Sequence, residues 1–96
     1  MTFFYISAIR MDSANQHIEW VRVHEINNSK LGTGMLTSRA FVAALIHTGT
    51  IEFRTITKIG SEPWKAGAKV EVTSNGYITT NPNKTTLDNL GNLPTF

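Results

Sequence analysis

The sequence predicts an α+β fold: a mainly antiparallel β-sheet of about five strands, one α-helix and a docked C-terminal tail, in the order β-β-α-β-β-β. Segments rich in β-branched and aromatic residues dominate, and a single stretch repeats apolar residues at helical spacing. Residues 1–96 are predicted to form one domain. Since one helix cannot bury its apolar face alone, it must lie on the sheet and leave the other sheet face partly exposed.

The first two strands are predicted over residues 3–10 and 17–26. The first strand is apolar on both faces near its start, which is typical of a central strand. The polar link between the two strands is short, so they are expected to form an antiparallel hairpin. Residues 27–34 are rich in Asn, Ser and Gly and are predicted as a loop.

The helix is predicted over residues 38–48. Thr37 is the expected N-cap, because its hydroxyl can accept a hydrogen bond from an unpaired N–H of the first turn. Leu36 and Phe41 have the spacing of a hydrophobic staple, and Gly49 supplies the left-handed conformation that ends a helix. The apolar face consists of Phe41, Val42, Leu45 and Ile46.

The strands predicted after the helix span residues 51–59, 69–74 and 77–80. Asn75-Gly76 suits a two-residue turn that needs positive φ at both positions. Such a turn places Val72 opposite Thr79 and points Ile78 to the other face of the hairpin.

The C-terminal tail is predicted to dock on the core. Asn81-Pro82 ends the last strand because proline cannot donate to a ladder. Thr85 and Asp88 have the spacing of a capping box for a short helical turn. Apolar residues then recur every third position and form the expected docking belt: Leu87, Leu90, Leu93 and Phe96.

Composition excludes several classes of function. The chain has no cysteine, so it has no disulfides and no thiolate metal site. Its longest apolar run, residues 40–46, is too short to span a bilayer, and its start lacks the features of a signal peptide. We therefore expect a cytoplasmic protein with no membrane partner. The net charge of +2 comes from interspersed residues and predicts no phosphate-binding cluster.

The run from Tyr77 to Pro94 resembles the C-terminal signature of the bacterial and phage family called domain of unknown function 3892. The shared features are a strand, a proline-containing turn, Asp-Asn-Leu and Leu-Pro. Upstream, residues 18–22 (Ile-Glu-Trp-Val-Arg) resemble a strand of that family. The similarity covers about Tyr5 to Pro94, with an insertion-like segment at 25–35, and it departs at Trp20 and in the longer loop around Trp64. It implies no chemistry, and no site is assigned from it.

No catalytic or metal constellation is evident. His17, His24 and His47 lack the spacing of metal ligands and are predicted to lie on the surface. Glu19 and Glu25 lie about 20 Å apart along one strand, too far for an acid–base pair. We predict no catalytic residues, no metal and no cofactor.

Three features could support binding. Trp64, followed by Lys65 on a loop, could anchor an interface or fold back to cap the sheet. Trp20 and Arg22 share a strand face that could form an aromatic and basic platform, although packing of Trp20 under the helix is favoured. Four basic residues could align as a stripe across one sheet face, although Glu52 among them favours an ordinary solvated face. These four are Arg10, Arg22, Arg54 and Lys58.

These observations predict a small non-enzymatic protein that acts through protein–protein contacts. Its small size and the missing catalytic apparatus suggest a phage or mobile-element inhibitor of a host defence complex, similar to anti-CRISPR proteins. The alternative is a nucleic-acid-binding module that uses a basic and aromatic sheet face. An enzyme would need a pocket with converging ionisable groups. The partner's identity and the oligomeric state do not follow from the sequence.

Overall fold

A computed structural model describes residues 2–14, 17–27, 30–58, 61, 63–80, 90 and 93–96. These residues form one helix and seven strands: β1 (Thr2–Met11), β2 (Ile18–Asn27), β3 (Lys30–Leu31), β4 (Met35–Ser38), α1 (Arg39–His47), β5 (Ile51–Thr57), β6 (Lys65–Val72) and β7 (Ile78–Thr80). The sheet order is β3-β2-β1-β5-β6-β7, and β4 also pairs with β2, beyond β3 along the same edge. The α+β class with one helix is confirmed. Among these residues, no helix has both the length and the apolar character that crossing a membrane requires.

The sheet is mixed and has more strands than predicted. Strand β1 is central, as predicted, with β2 antiparallel on one side and β5 parallel on the other. The parallel pair arises because β4 runs in the direction of β1, and α1 then carries the chain across the sheet to the far side of β1. β3 and β4 lie where a loop was expected or just after it, because pairing with the edge of β2 outweighs the weak strand preference of their own residues.

The helix begins one residue later than predicted. Ser38, which has an extended backbone, is the N-cap, and the Phe41 N–H donates to its Oγ at 3.1 Å. Thr37 still belongs to β4, so the prediction of Thr37 as the cap was wrong. Gly49 has a φ of 78°, which confirms the left-handed residue after the helix.

The hydrophobic core lies between α1 and one face of the sheet. Its fully or nearly buried members are Ile6, Ile9, Val21, Val23, Val42, Ala43, Phe53, Val70, Ile78, Leu90 and Leu93. Each such side chain contributes about 1–3 kcal/mol by leaving water. Phe41, predicted to lie on the buried face of the helix, is 57% exposed instead.

Strand register divides the sheet into two faces. Paired residues of an antiparallel ladder point the same way, and neighbours along a strand alternate. Ile6–Val23 and Ile9–Val21 point towards α1 and define the helix-covered face. The pairs that alternate with these point away from α1 and define the helix-free face: Tyr5–His24, Ala8–Arg22 and Arg10–Trp20.

The β6–β7 hairpin has a longer turn than predicted. The Gly76 N–H donates to the Thr73 carbonyl at 3.0 Å, and the Thr73 N–H donates to the Tyr77 carbonyl at 2.7 Å. Gly76 has a φ of 81°, as in a three-residue loop closed by a left-handed glycine. The extra residue shifts the register, so Val72 lies opposite Ile78 and not Thr79. Ile78 therefore points into the core.

The described part of the tail docks beside β1, as predicted. Leu90 and Leu93 are 2% and 4% exposed. The Ile9 N–H donates to the Pro94 carbonyl at 2.9 Å, and the Phe96 N–H donates to the Ile9 carbonyl at 3.1 Å. Leu87, the capping pair Thr85 and Asp88, and Asn81-Pro82 lie outside the described residues.

Residues 32–34 pack across the helix-free face. His24, predicted on the surface, is 7% exposed and bonds through Nδ1 to the Gly32 carbonyl at 2.8 Å. Because a carbonyl can only accept, Nδ1 carries a proton, and Nε2 is hydrogen-bonded to the buried Ser7 hydroxyl at 2.7 Å. Gly34 lies so close that a Cβ there would be 2.6 Å from Arg22 Cγ and Cδ. Only a glycine therefore fits without a shift of these side chains.

The docked tail can be tested with Leu90→Ala. We expect the free energy of unfolding to fall by about 2–5 kcal/mol, because the substitution removes buried methyl groups and leaves a cavity. Urea denaturation followed by circular dichroism measures the change. Phe3→Ala, at a position 44% exposed, is the control and should cost less than about 1 kcal/mol. Equal effects of the two substitutions would contradict the docking.

The close approach at Gly34 can be tested with Gly34→Ala. We expect a loss of about 1–3 kcal/mol in the free energy of unfolding, because the new methyl group collides with Arg22. Thr33→Ala, in the same exposed loop, is the control and should be nearly neutral. Combining Gly34→Ala with Arg22→Ala should recover part of the loss, and strict additivity would show that Arg22 is not the obstacle.

Candidate functional site: the groove beside Trp64

An apolar groove of about 410 Å³ lies on the helix-free face. Tyr5 of β1 and Ile56 of β5 belong to the sheet beneath it. Cross-strand pairs extend it on both sides, since Ile26 pairs with Leu31 and Ile56 pairs with Ala66. The complete lining is Tyr5, Ile26, Leu31, Ile56, Pro63, Trp64 and Ala66. Five strands (β1, β2, β3, β5 and β6) and the loop before β6 therefore build one open, apolar surface.

Trp64 lies against the sheet and remains partly open to solvent. Its ring centroid is 6.0 Å from that of His24, with the planes tilted by 45°. The Lys58 Nζ is 5.9 Å from the Trp64 ring centroid. The residue is nevertheless 41% exposed. Trp64 therefore folds back onto the sheet, and the exposed part of its ring forms a wall of the groove. Its role as the anchor of an interface stays a prediction.

The predicted cations divide into paired and unpaired groups. Arg54 Nε lies 2.6 Å from Glu52 Oε2, and Lys69 Nζ lies 4.0 Å from the other oxygen of the same carboxylate. Lys58 and Lys65 are exposed and form no ion pair with any other described residue. The unpaired positive charge beside Trp64 therefore comes from Lys58. Lys65 pairs with Thr57, one position along from the groove-lining pair Ile56–Ala66, so it points to the opposite, helix-covered face.

Trp20 and Arg22 lie on the same sheet face but do not line the groove. Trp20 pairs with Arg10 and with Ser38, so the favoured prediction that it packs under the helix was wrong. The reason is parity, because its neighbour Val21 points into the core. The Arg22 guanidinium carbon lies 4.8 Å from the Phe96 ring centroid. Arg22 therefore packs against the tail and the loop at 32–34.

Ser7 and His24 have the spacing of a nucleophile and its base. Their side chains are hydrogen-bonded at 2.7 Å, and His24 is oriented by the neutral Gly32 carbonyl, where a catalytic triad has a carboxylate. Each residue is 7% exposed, and Ser7 lines none of the described grooves. The geometry supports a buried structural hydrogen bond. No group of metal-binding side chains gathers within the described residues.

A second cluster, missed by the sequence analysis, joins two hairpin turns and the helix. The His17 and Tyr77 rings stack with centroids 3.9 Å apart and planes 5° apart. The Arg39 guanidinium carbon is 5.0 Å from the Tyr77 ring centroid, and Nη1 donates to the Gly76 carbonyl at 2.9 Å. These contacts hold the β6–β7 turn against the start of β2. Nothing local in the sequence indicates them, since the partners are far apart along the chain.

Comparison with known proteins gives a family and no activity. Neither the curated proteins nor the solved structures contain a match. A family match covers residues 5–94, nearly the whole chain, and agrees with the resemblance noted in the tail and in β2. The chain therefore belongs to the family described as "Protein of unknown function (DUF3892)".

Proposed function

We propose that the protein is a non-enzymatic binding module that holds an extended segment of a partner protein in the groove beside Trp64. The observation that carries the proposal is the position of Trp64, held against the sheet yet 41% exposed at an apolar groove. That the partner belongs to a host defence complex, and that this is a phage protein, remains a prediction from the small size and the missing catalytic apparatus. The proposal concerns the surface and the kind of segment that fits it.

The groove favours an apolar centre in the bound segment. Tryptophan dominates the energetics of many interfaces, because it removes a large surface from water with little loss of side-chain freedom. Tyr5 and Ile56 are already in place on regular strands, so binding need not order a loop. Apolar side chains of the segment would cover Trp64, Ile26 and Pro63.

The charges favour acidic residues beside that centre. Lys58 lies beside Trp64 and has no carboxylate partner among the described residues, so it can meet one from a ligand. Pairs at such a rim improve the association rate and the choice of partner more than the affinity. The fitting segment is therefore an extended acidic and apolar peptide.

The nucleic-acid alternative has weaker support. Glu52 neutralises part of the charge of Arg54 and Lys69, and the guanidinium of Arg22 stacks over Phe96. Single-strand binders stack successive bases on several aromatic side chains. The groove offers Trp64 and the half-buried Tyr5.

Fluorescence of Trp64 tests the proposal directly. The chain has two tryptophans, so Trp20→Phe leaves Trp64 as the sole reporter. A synthetic peptide with a Leu-Phe centre and Asp on both sides should shift its emission to the blue. Trp64→Phe, which keeps Trp20, is the matched control and should show no shift. Trp64→Ala should weaken peptide binding at least about tenfold, which corresponds to about 1.4 kcal/mol.

Two comparison probes, a basic peptide and a single-stranded oligonucleotide, show whether the groove prefers an acidic peptide or a nucleic acid. The same peptide with Lys replacing Asp should bind more weakly, and Lys58→Gln should reduce that preference, whereas Lys65→Gln, on the opposite sheet face, should not. Equal binding of the acidic and basic peptides, or binding of neither, would contradict the proposal. A single-stranded oligonucleotide that shifts Trp64 emission with a steep salt dependence would favour the nucleic-acid alternative.

A further inference from the structure

Strand β4 has one edge with which no described residue pairs. Its four residues, Met35–Ser38, pair with β2 on one side, and no described residue pairs with them on the other. The segment carries no charge. An edge of this kind presents unpaired N–H and C=O groups and can add another strand.

The other edges of the sheet are protected in ways that β4 is not. β3 has two residues, and one of them is the exposed Lys30. β7 has three residues, and Pro82 follows shortly after it in the sequence. Short length, lysine and proline are common means of preventing edge pairing. Among the described edges, β4 combines greater length with the absence of charge.

Exposed apolar side chains flank this edge on both faces of the sheet. Met35 and Phe41, 44% and 57% exposed, lie on the helix-covered side and line an apolar groove of about 180 Å³ with Thr37 and Leu45. Leu36, 62% exposed, pairs with Arg22 and points to the helix-free side. A ligand docked on one face would cover only one of these groups, whereas a strand added to the edge covers both.

We propose that β4 pairs antiparallel with β4 of a second copy of this chain. When a two-fold axis relates two antiparallel neighbouring strands of one continuous sheet, the axis is perpendicular to the sheet. A residue and its symmetry-related counterpart then lie on the same face of that sheet. Directly opposite residues share a face, so opposite positions in the two identical strands must differ by an even number. The two-fold axis therefore passes beside a residue and not between two residues. Centring on Leu36 places it opposite its own counterpart and Met35 opposite Thr37 of the other copy.

Charge supports a second copy as the occupant. In this register no like charges meet across the ladder, since Met35–Ser38 has none. Phe41 and Met35 of both copies lie on the same face next to the axis. The ladder is short and the interface is small, so we expect a concentration-dependent dimer and not a permanent one.

Light scattering during size-exclusion chromatography tests the pairing. The wild-type mass should rise from monomer towards dimer as the protein concentration increases. Leu36→Glu should remain monomeric, because it places two carboxylates opposite each other. It should still fold, since position 36 lies opposite Arg22. Phe3→Glu, at another exposed apolar position of the sheet, is the control and should dimerise like the wild type.

A charge exchange separates pairing at Leu36 from general loss of structure. Leu36→Glu and Leu36→Lys should each be monomeric alone, and their mixture should form a heterodimer, because opposite charges then meet at the axis. Circular dichroism checks that both variants fold. A wild-type protein that stays monomeric at every concentration, a dimer that survives Leu36→Glu, or a mixture that stays monomeric would each overturn the proposal.

Discussion

Pairing on both edges of β1 is the constraint on which the rest of the structure depends. β2 lies along one edge, β5 joins the other edge at Thr2–Ile6, and the tail takes over that edge at Ile9. The neighbours Ala8 and Ile9 point to opposite faces and are 3% and 2% exposed, so β1 is covered on both sides. A buried strand must have all its backbone groups paired. The bridge from residues 94–96 therefore supplies the pairing of β1 beyond the end of β5.

The sequence predicted those features of the fold that depend on residues close together in the chain. The helix, its terminal glycine and the central position of β1 follow from apolar spacing and from the need for positive φ at Gly49. The register of β7 did not follow, because one extra turn residue reverses every side chain of a short strand. β3 and β4 also escaped prediction, since their pairing comes from β2 and not from their own sequence.

The candidate site was predicted in part. Trp64 and Lys58 lie together, a contact that was not predicted, because the connection between β5 and β6 brings them to the same sheet face. Arg22 and Arg54 instead interact with Phe96 and Glu52, contacts that depend on the tail and on the spacing along β5. Tyr5, Ile26 and Ile56 could have been found from strand alternation once the helix-covered face was known. A single sequence does not show which face that is.

One helix on a seven-stranded sheet explains why two separate apolar surfaces remain. α1 packs against β2, β4, β5 and β6 on one face, while loops cover the opposite face only in part. In the proposed dimer, the two-fold axis is perpendicular to the sheet, so both Trp64 grooves lie on the same side. A partner that offers two acidic and apolar segments could then occupy both grooves. Its second contact would be intramolecular, and the overall affinity would exceed that of either groove without any new contact.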